Sequence, residues 1–147
     1  MGYTNAYTAY QNTNIKTASQ GKLIVLLYEA AVRNMNSANA LVSAENKIKA
    51  CDIEKFSTFI QKTQAIITEL QVSLDMEKGG EIAKNLMSLY IYFNSELIEI
   101  SFSHSKEKIS FVLNMLNELL DAWKQAANTT ATNAPATPVS SALNIEG

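Results

Sequence analysis

The residues that could carry out metal or nucleophilic chemistry are few and scattered along the chain. His104 is the only histidine and Cys51 is the only cysteine. A di-iron site in a helical bundle needs Glu-x-x-His pairs, and a structural zinc site needs four Cys or His ligands. The sequence supplies neither set, and Cys51 reads as an ordinary, partly buried thiol.

Other catalytic patterns are also missing. Neither a GxxxxGK[ST] phosphate loop nor a GxGxxG motif occurs, so a nucleotide cofactor is not expected. The acidic residues between Glu69 and Glu99 could be imagined as acid and base pairs, but helix ends and solvated faces explain them better. The sequence therefore predicts no enzyme, no metal and no cofactor.

Composition narrows the class of protein further. The 147 residues suffice for one domain with a real core, and 12 basic against 14 acidic residues give a net charge of −2. That balance gives no electrostatic reason to bind nucleic acid, which calls for clustered Lys and Arg. No continuous apolar stretch reaches the length of a membrane span, so membrane insertion is not expected. The start of the chain lacks the pattern of a secretory signal, and we expect a cytoplasmic protein.

Helix breakers are confined to a few places, which predicts an all-α chain. Both prolines, Pro135 and Pro138, lie near the C-terminal end, and no glycine occurs between Gly21 and Gly79. Apolar residues then recur at spacings of three and four. The pattern predicts four helices, from about 19 to 43, 53 to 74, 81 to 102, and from 105 onward. Their short connections predict an antiparallel four-helix bundle.

The two ends of the chain differ from this middle. We predict an N-terminal arm over residues 1–18, with a short helical turn that carries Tyr7 and Tyr10 and packs on the bundle. The bundle itself is predicted over residues 19–127. Residues 128–147 are rich in Thr, Ala, Ser and Pro, cannot bury enough apolar area to offset their ordering cost, and are predicted to be disordered.

Two predicted helices are apolar on more than one side. On the third, Met87, Ile91, Tyr92 and Ile98 lie off the core stripe. Either neighbouring helices cover the extra faces, or a partner helix binds there in a hydrophobic groove. On the first helix, one stripe comprises Leu23, Leu26, Leu27, Ala30 and Ala31, and a second comprises Ile24, Tyr28 and Met35.

Five segments occur in order along the chain: AYTAYQNTNIKTAS, KLIVLLYEAAVR, IITELQVSLD, GGEIAKNLMSLYIY and ELLDAW. Together they resemble the FliS family of flagellar export chaperones. The resemblance covers roughly residues 6–127. This sequence departs from the usual family pattern at Gln20, Ala30 and Ile91, where the family commonly has Pro, Gly and Asp.

The resemblance implies a cytoplasmic chaperone built as an antiparallel four-helix bundle. Such proteins bind the disordered C-terminal segment of flagellin, keep flagellin from polymerising prematurely and aid its delivery to the flagellar type III export apparatus. The family's A-Y-x-x-Y motif falls on Ala6, Tyr7 and Tyr10, followed by Ile15, in an arm that covers an apolar groove and can be displaced by flagellin.

Pattern and resemblance together give a candidate set of partner-binding residues. The alternative function is a structural or regulatory helical module that dimerises through its apolar face. A weak homodimer is a separate expectation for the partners of the chain. The candidate residues are Tyr7, Tyr10, Ile15, Ile24, Tyr28, Met35, Tyr90 and Ile91.

Overall fold

The computed structural model describes residues 17–132, with side chains for residues 20–128, and these fold as an antiparallel four-helix bundle. A 3-10 turn, Ala50–Asp52, precedes the second helix. The predicted all-α bundle is thereby confirmed. Of the predicted arm and tail, residues 17–18 and 128–132 are described and are helical, so the first helix begins earlier than predicted and the prediction of disorder is wrong for residues 128–132. The rest of the predicted arm and tail lies outside the described residues. The helices are α1 (Thr17–Ala40), α2 (Ile53–Val72), α3 (Gly80–Ser103) and α4 (Lys106–Thr132).

In α1 the structure decides between the two apolar stripes. The stripe of Ile24, Tyr28 and Met35 is buried in the core, together with Ala38 and with Ala31, which the sequence placed in the other stripe. Leu23 and Leu26 of the other stripe are exposed, Leu26 by 61%. The buried residues are spaced by three and four, so they form one continuous face along the helix.

The other three helices bury the faces that their spacing predicts, apart from Ile82 at the start of α3, which is only partly buried. Thr63 is the one polar member of the α2 stripe, and its hydroxyl donates to the carbonyl of Phe59 at 2.9 Å. That bond satisfies the hydroxyl inside the core. The stripes are Phe56, Ile60, Thr63, Ile67 and Leu70 in α2, with Leu74 buried just after its end; Leu86, Leu89, Phe93, Leu97 and Ile100 in α3; and Ile109, Val112, Leu116, Leu119, Leu120 and Trp123 in α4.

The α1–α2 connection is fixed to the start of α4. The Lys106 ammonium donates to the carbonyls of Asn39 and Val42, both at 2.8 Å, and to the Asn39 side chain at 3.0 Å. The Lys106 backbone N–H donates to Asn46 Oδ1 at 2.9 Å. Because the last carbonyls of a helix have no partners within it, this lysine caps the end of α1.

The two other connections are tight turns. Asp75 Oδ1 accepts the N–H groups of Glu77 at 3.1 Å and Lys78 at 2.9 Å, and Gly80 then takes the positive φ of 58° expected of this Gly-Gly pair. His104 ends α3 in the left-handed region at φ 54°. Ser105 Oγ accepts the N–H of Lys108 at 3.2 Å, which confirms Ser105 as the N-cap of α4.

The helices pack unequally around the core. α1 packs closely against both α2 and α4, and α3 packs mainly against α2. Asn94 of α3 donates to Gln71 Oε1 of α2 at 3.0 Å across that boundary. α3 and α4 approach each other less closely than the other neighbouring pairs, so the surface between them is the least tightly closed part of the bundle.

Candidate interaction surface

Three aromatic side chains join α1, α3 and α4 inside the bundle. The hydroxyls of Tyr28 and Tyr90 are hydrogen bonded at 2.6 Å. The ring of Tyr28 stacks on Trp123 with a centroid distance of 6.3 Å. All three side chains are fully buried. We call Tyr28, Tyr90 and Trp123 the buried aromatic joint, because it links three helices through one cluster.

The structure separates the predicted site residues into three groups. Ile24, Tyr28, Met35 and Tyr90 belong to the buried core cluster. Ile91 is the one member of the predicted set that is exposed among the described residues, by 55%. The remaining three lie outside the described residues: Tyr7, Tyr10 and Ile15. Partner binding by each of these residues stays a prediction.

The outward side of α3 carries an apolar stripe that the sequence reading found only in part. Ile91, Ile98 and Phe102 are exposed, Phe102 by 80%. Their spacings of seven and four residues put them on one side of the helix. Phe102 was overlooked because it lies at the end of the predicted helix, although its spacing from Ile98 was a usable signal.

Next to this stripe, Phe111 of α4 adds an exposed aromatic side chain that contacts α3. Its ring meets Tyr92 of α3 in a T-shaped contact, with centroids 6.4 Å apart and an interplanar angle of 87°. Both rings remain partly exposed, Phe111 by 49% and Tyr92 by 39%. Exposed apolar side chains that lie together mark interaction sites more often than ones scattered singly over a surface. The α3–α4 surface is defined as Ile91, Tyr92, Ile98, Phe102 and Phe111.

Charged groups border the α3–α4 surface. Lys108 of α4 pairs with Glu99 of α3 at 3.7 Å, and both side chains are largely solvated. Partial burial raises the pKa of Tyr92, the nearby Glu96 carboxylate raises it further, and Lys108 lowers it. Tyr92 therefore stays a neutral hydroxyl at neutral pH, with an acidic neighbour beside it.

The residues considered for chemistry have structural surroundings. The His104 ring packs edge-on against Phe56, with centroids 5.2 Å apart. Cys51 is exposed rather than partly buried as predicted, because it lies in the surface 3-10 turn. Over the described residues, no group of three His, Cys, Asp or Glu side chains is placed to hold a metal ion. No helix within residues 17–132 is long and apolar enough to cross a membrane.

Comparison with known proteins identifies the family of the chain. A family model described as "Flagellar protein FliS" matches residues 3–130. The flagellar secretion chaperone FliS of Campylobacter jejuni is 37% identical over 123 residues, which cover 84% of this chain and 91% of that relative. The same chaperone from Salmonella typhimurium is 35% identical over 112 residues, covering 76% of this chain and 78% of the relative. The Bacillus subtilis chaperone is 27% identical over 126 residues, which cover 86% of this chain and 89% of that relative. The chain therefore belongs to the FliS family of flagellar proteins.

Proposed function

We propose that this chain is a cytoplasmic export chaperone for flagellin. In this proposal it binds the disordered C-terminal segment of flagellin, prevents premature polymerisation and aids delivery to the flagellar type III export apparatus. The observation that carries the proposal is an exposed apolar surface across α3 and α4 in a member of a family whose relatives are named secretion chaperones.

The shape of the α3–α4 surface suits such a partner. The stripe from Ile91 to Phe102 runs along three turns of α3, about 17 Å at 1.5 Å per residue. A disordered segment that folds on binding has an ordering cost, and it offsets that cost by burying a long apolar face rather than by filling one pocket. An amphipathic helix laid along α3 and against Phe111 would bury such a face.

In this proposal the buried candidate residues contact flagellin only after a rearrangement, whereas the exposed Ile91 can contact it directly. Side chains of Ile24, Tyr28, Met35 and Tyr90 are at most 1% exposed, so a partner can reach them only after covering groups move. An arm over residues 1–18 that carries Tyr7, Tyr10 and Ile15 and yields to flagellin would permit this. We also propose that residues 19–127 form the bundle domain and residues 128–147 the C-terminal tail, although α4 continues to Thr132.

Titration with the flagellin C-terminal segment tests the function. We expect saturable one-to-one binding by calorimetry and a gain of helical circular dichroism beyond the sum of the two components. A scrambled segment of identical composition is the control. The absence of saturable binding, or equal binding of the scrambled segment, would contradict the proposal.

The role of the arm is tested separately. Replacement of both Tyr7 and Tyr10 by Ala should change the affinity for the segment or the self-association of the free protein, with the thermal midpoint of the bundle unchanged. If affinity and self-association both stay at their wild-type values, the arm has no part in the mechanism.

The second candidate function is a helical module that dimerises through the α3–α4 surface, and the exposure of Phe102 and Phe111 favours it. Sizing at several protein concentrations, with and without the flagellin segment, separates the two functions. If the protein is a chaperone, any dimer that it forms should dissociate when the flagellin segment binds. A constitutive dimer that the segment does not affect supports the helical module.

A further inference from the structure

The contact between Tyr92 and Phe111 lies beside a carboxylate without a cationic partner. Among the described residues, the ion pair on this surface joins Lys108 to Glu99, and Glu96 takes part in none. Glu96 is half-buried and close enough to Tyr92 to raise the pKa of its hydroxyl. A half-buried, unpaired carboxylate next to apolar surface is less well solvated than one in open water, so it gains more from a cation.

The two rings supply the second part of a cation site. In a T-shaped pair, one ring presents its edge to one face of the other. The Tyr92 ring also lies near Phe93, with centroids 6.1 Å apart. A third group can therefore reach the solvent-exposed part of each ring, which is 39% of Tyr92 and 49% of Phe111. The negative faces of Tyr and Phe rings attract Lys and Arg, and the methylene stems of both residues pack well on apolar surface.

We propose that Tyr92, Phe111 and Glu96 form a subsite for a lysine or arginine side chain of the flagellin C-terminal segment. The stem of that side chain lies on the two rings and its charge pairs with the Glu96 carboxylate. Aliphatic side chains of the same segment lie on Ile91, Ile98 and Phe102. This inference rests on the proposed function, since it names a chemical feature of the segment that the α3–α4 surface binds.

The subsite gives the segment a sequence requirement. Tyr92 and Glu96 are one helical turn apart on α3 and lie between Ile91 and Ile98 along the axis. A partner helix therefore presents its basic residue one turn from its apolar contacts, at a spacing of three or four residues. Lys108 is expected to repel this basic residue, because the charge of Lys108 also acts on Tyr92. The ion pair between Lys108 and Glu99 offsets part of that repulsion.

Two charge variants test the subsite with the flagellin C-terminal segment as the probe. Glu96→Gln should weaken binding about fivefold at low salt, as expected for loss of one charge-assisted contact at a partly exposed site. Lys108→Gln should strengthen binding, because it removes the repulsion. The matched control is Glu77→Gln in the exposed α2–α3 turn, which should leave the dissociation constant unchanged.

A charge exchange identifies the partner residue. Each Lys or Arg of the segment is replaced in turn by Glu, and each variant segment is titrated against wild-type protein and against Glu96→Lys. One replacement should weaken binding to wild type and regain affinity with Glu96→Lys. Circular dichroism confirms that the protein variants keep their helical content.

The outcomes separate the subsite from the function. If wild-type protein does not bind the unmodified segment, both proposals are wrong. If it binds, but Glu96→Gln and Lys108→Gln have wild-type affinity and no segment variant regains affinity with Glu96→Lys, the subsite is wrong and the chaperone function stands.

Discussion

Tyr90 and Tyr92 are two residues apart on the same helix, yet they lie in opposite environments. Tyr90 is 0% exposed and its hydroxyl bonds to Tyr28 in the buried aromatic joint, whereas Tyr92 is 39% exposed and meets Phe111 on the α3–α4 surface. Two residues along an α-helix turn the side chain by about 200°, because each residue adds about 100°. Residue type therefore does not distinguish core from site in this bundle, and the phase of each residue on its helix does.

The two aromatic clusters are expected to have different roles, one in stability and the other in binding. The joint links α1, α3 and α4, so its loss should reduce the free energy of unfolding. The α3–α4 surface faces solvent, so its loss should reduce binding and leave stability nearly unchanged. If substitutions in the two clusters have the same effects on stability and binding, this assignment of roles is wrong.

Removing the largest member of the joint should have the largest effect. Trp123→Ala should lower the free energy of unfolding by about 3–5 kcal/mol, because it deletes a buried ring and leaves a cavity. Urea denaturation followed by circular dichroism measures it. Phe111→Ala is the matched control on the same helix and should cost less than about 1 kcal/mol. A loss for Trp123→Ala no larger than that of the control would contradict the assignment.

Polar substitutions on the α3–α4 surface should act on binding instead. Ile98→Ser with Phe102→Ser should weaken binding of the flagellin segment at least about tenfold, since truncated interface anchors commonly cost more than 1 kcal/mol each. Val72→Ser is the control, because Val72 is equally solvent-facing but lies on α2. Calorimetric titration compares the three proteins, and equal affinities would remove the stripe from the binding surface.

The hydrogen bond inside the joint can be isolated with a double-mutant cycle. Tyr28→Phe and Tyr90→Phe should each cost about 1 kcal/mol, because each removes the 2.6 Å hydrogen bond between the two buried hydroxyls. The double variant should cost less than the sum of the two. Strict additivity in urea denaturation would show that the two hydroxyls do not act as a pair.

The smallest effect concerns the pH dependence of stability. Because the folded-state pKa of Tyr92 is raised above its ordinary value, the unfolded chain ionises first as the pH rises, and the stability linked to this group is lost as the pH passes through the folded pKa. Tyr92→Phe should therefore show a slightly shallower fall in thermal midpoint above about pH 10. Below about pH 9 the two proteins should have parallel curves, and parallel curves throughout would contradict the shift.

The sequence predicted the helices where one face alone is apolar. The stripes of α2 and α4 follow from spacing because their opposite sides are polar, and Ser105 and Gly80 were visible as a cap and a turn residue. The phase of α1 could not be predicted in this way. Leu23 and Leu26 are as apolar as Ile24 and Tyr28, so the positions of α2 and α4 decide which stripe is buried.

Contacts between distant residues were also beyond the sequence. Nothing local indicates that Lys106 caps α1 or that Phe111 meets Tyr92, because both contacts depend on how far α4 is displaced along its neighbours. The off-stripe position of Ile91, Tyr92 and Ile98 was readable as extra apolar surface. The addition of Phe111 to this surface required the fold, because it depends on the contact with Tyr92.

Isoleucine methyl groups give the most direct test of where the partner binds. In a protein labelled at isoleucine δ1 methyls, the flagellin C-terminal segment should shift the resonances of the exposed Ile91 and Ile98, while those of the buried Ile60 and Ile67 in α2 should stay in place. Unmoved Ile91 and Ile98 resonances at saturating segment would contradict the assignment of the α3–α4 surface as the binding site.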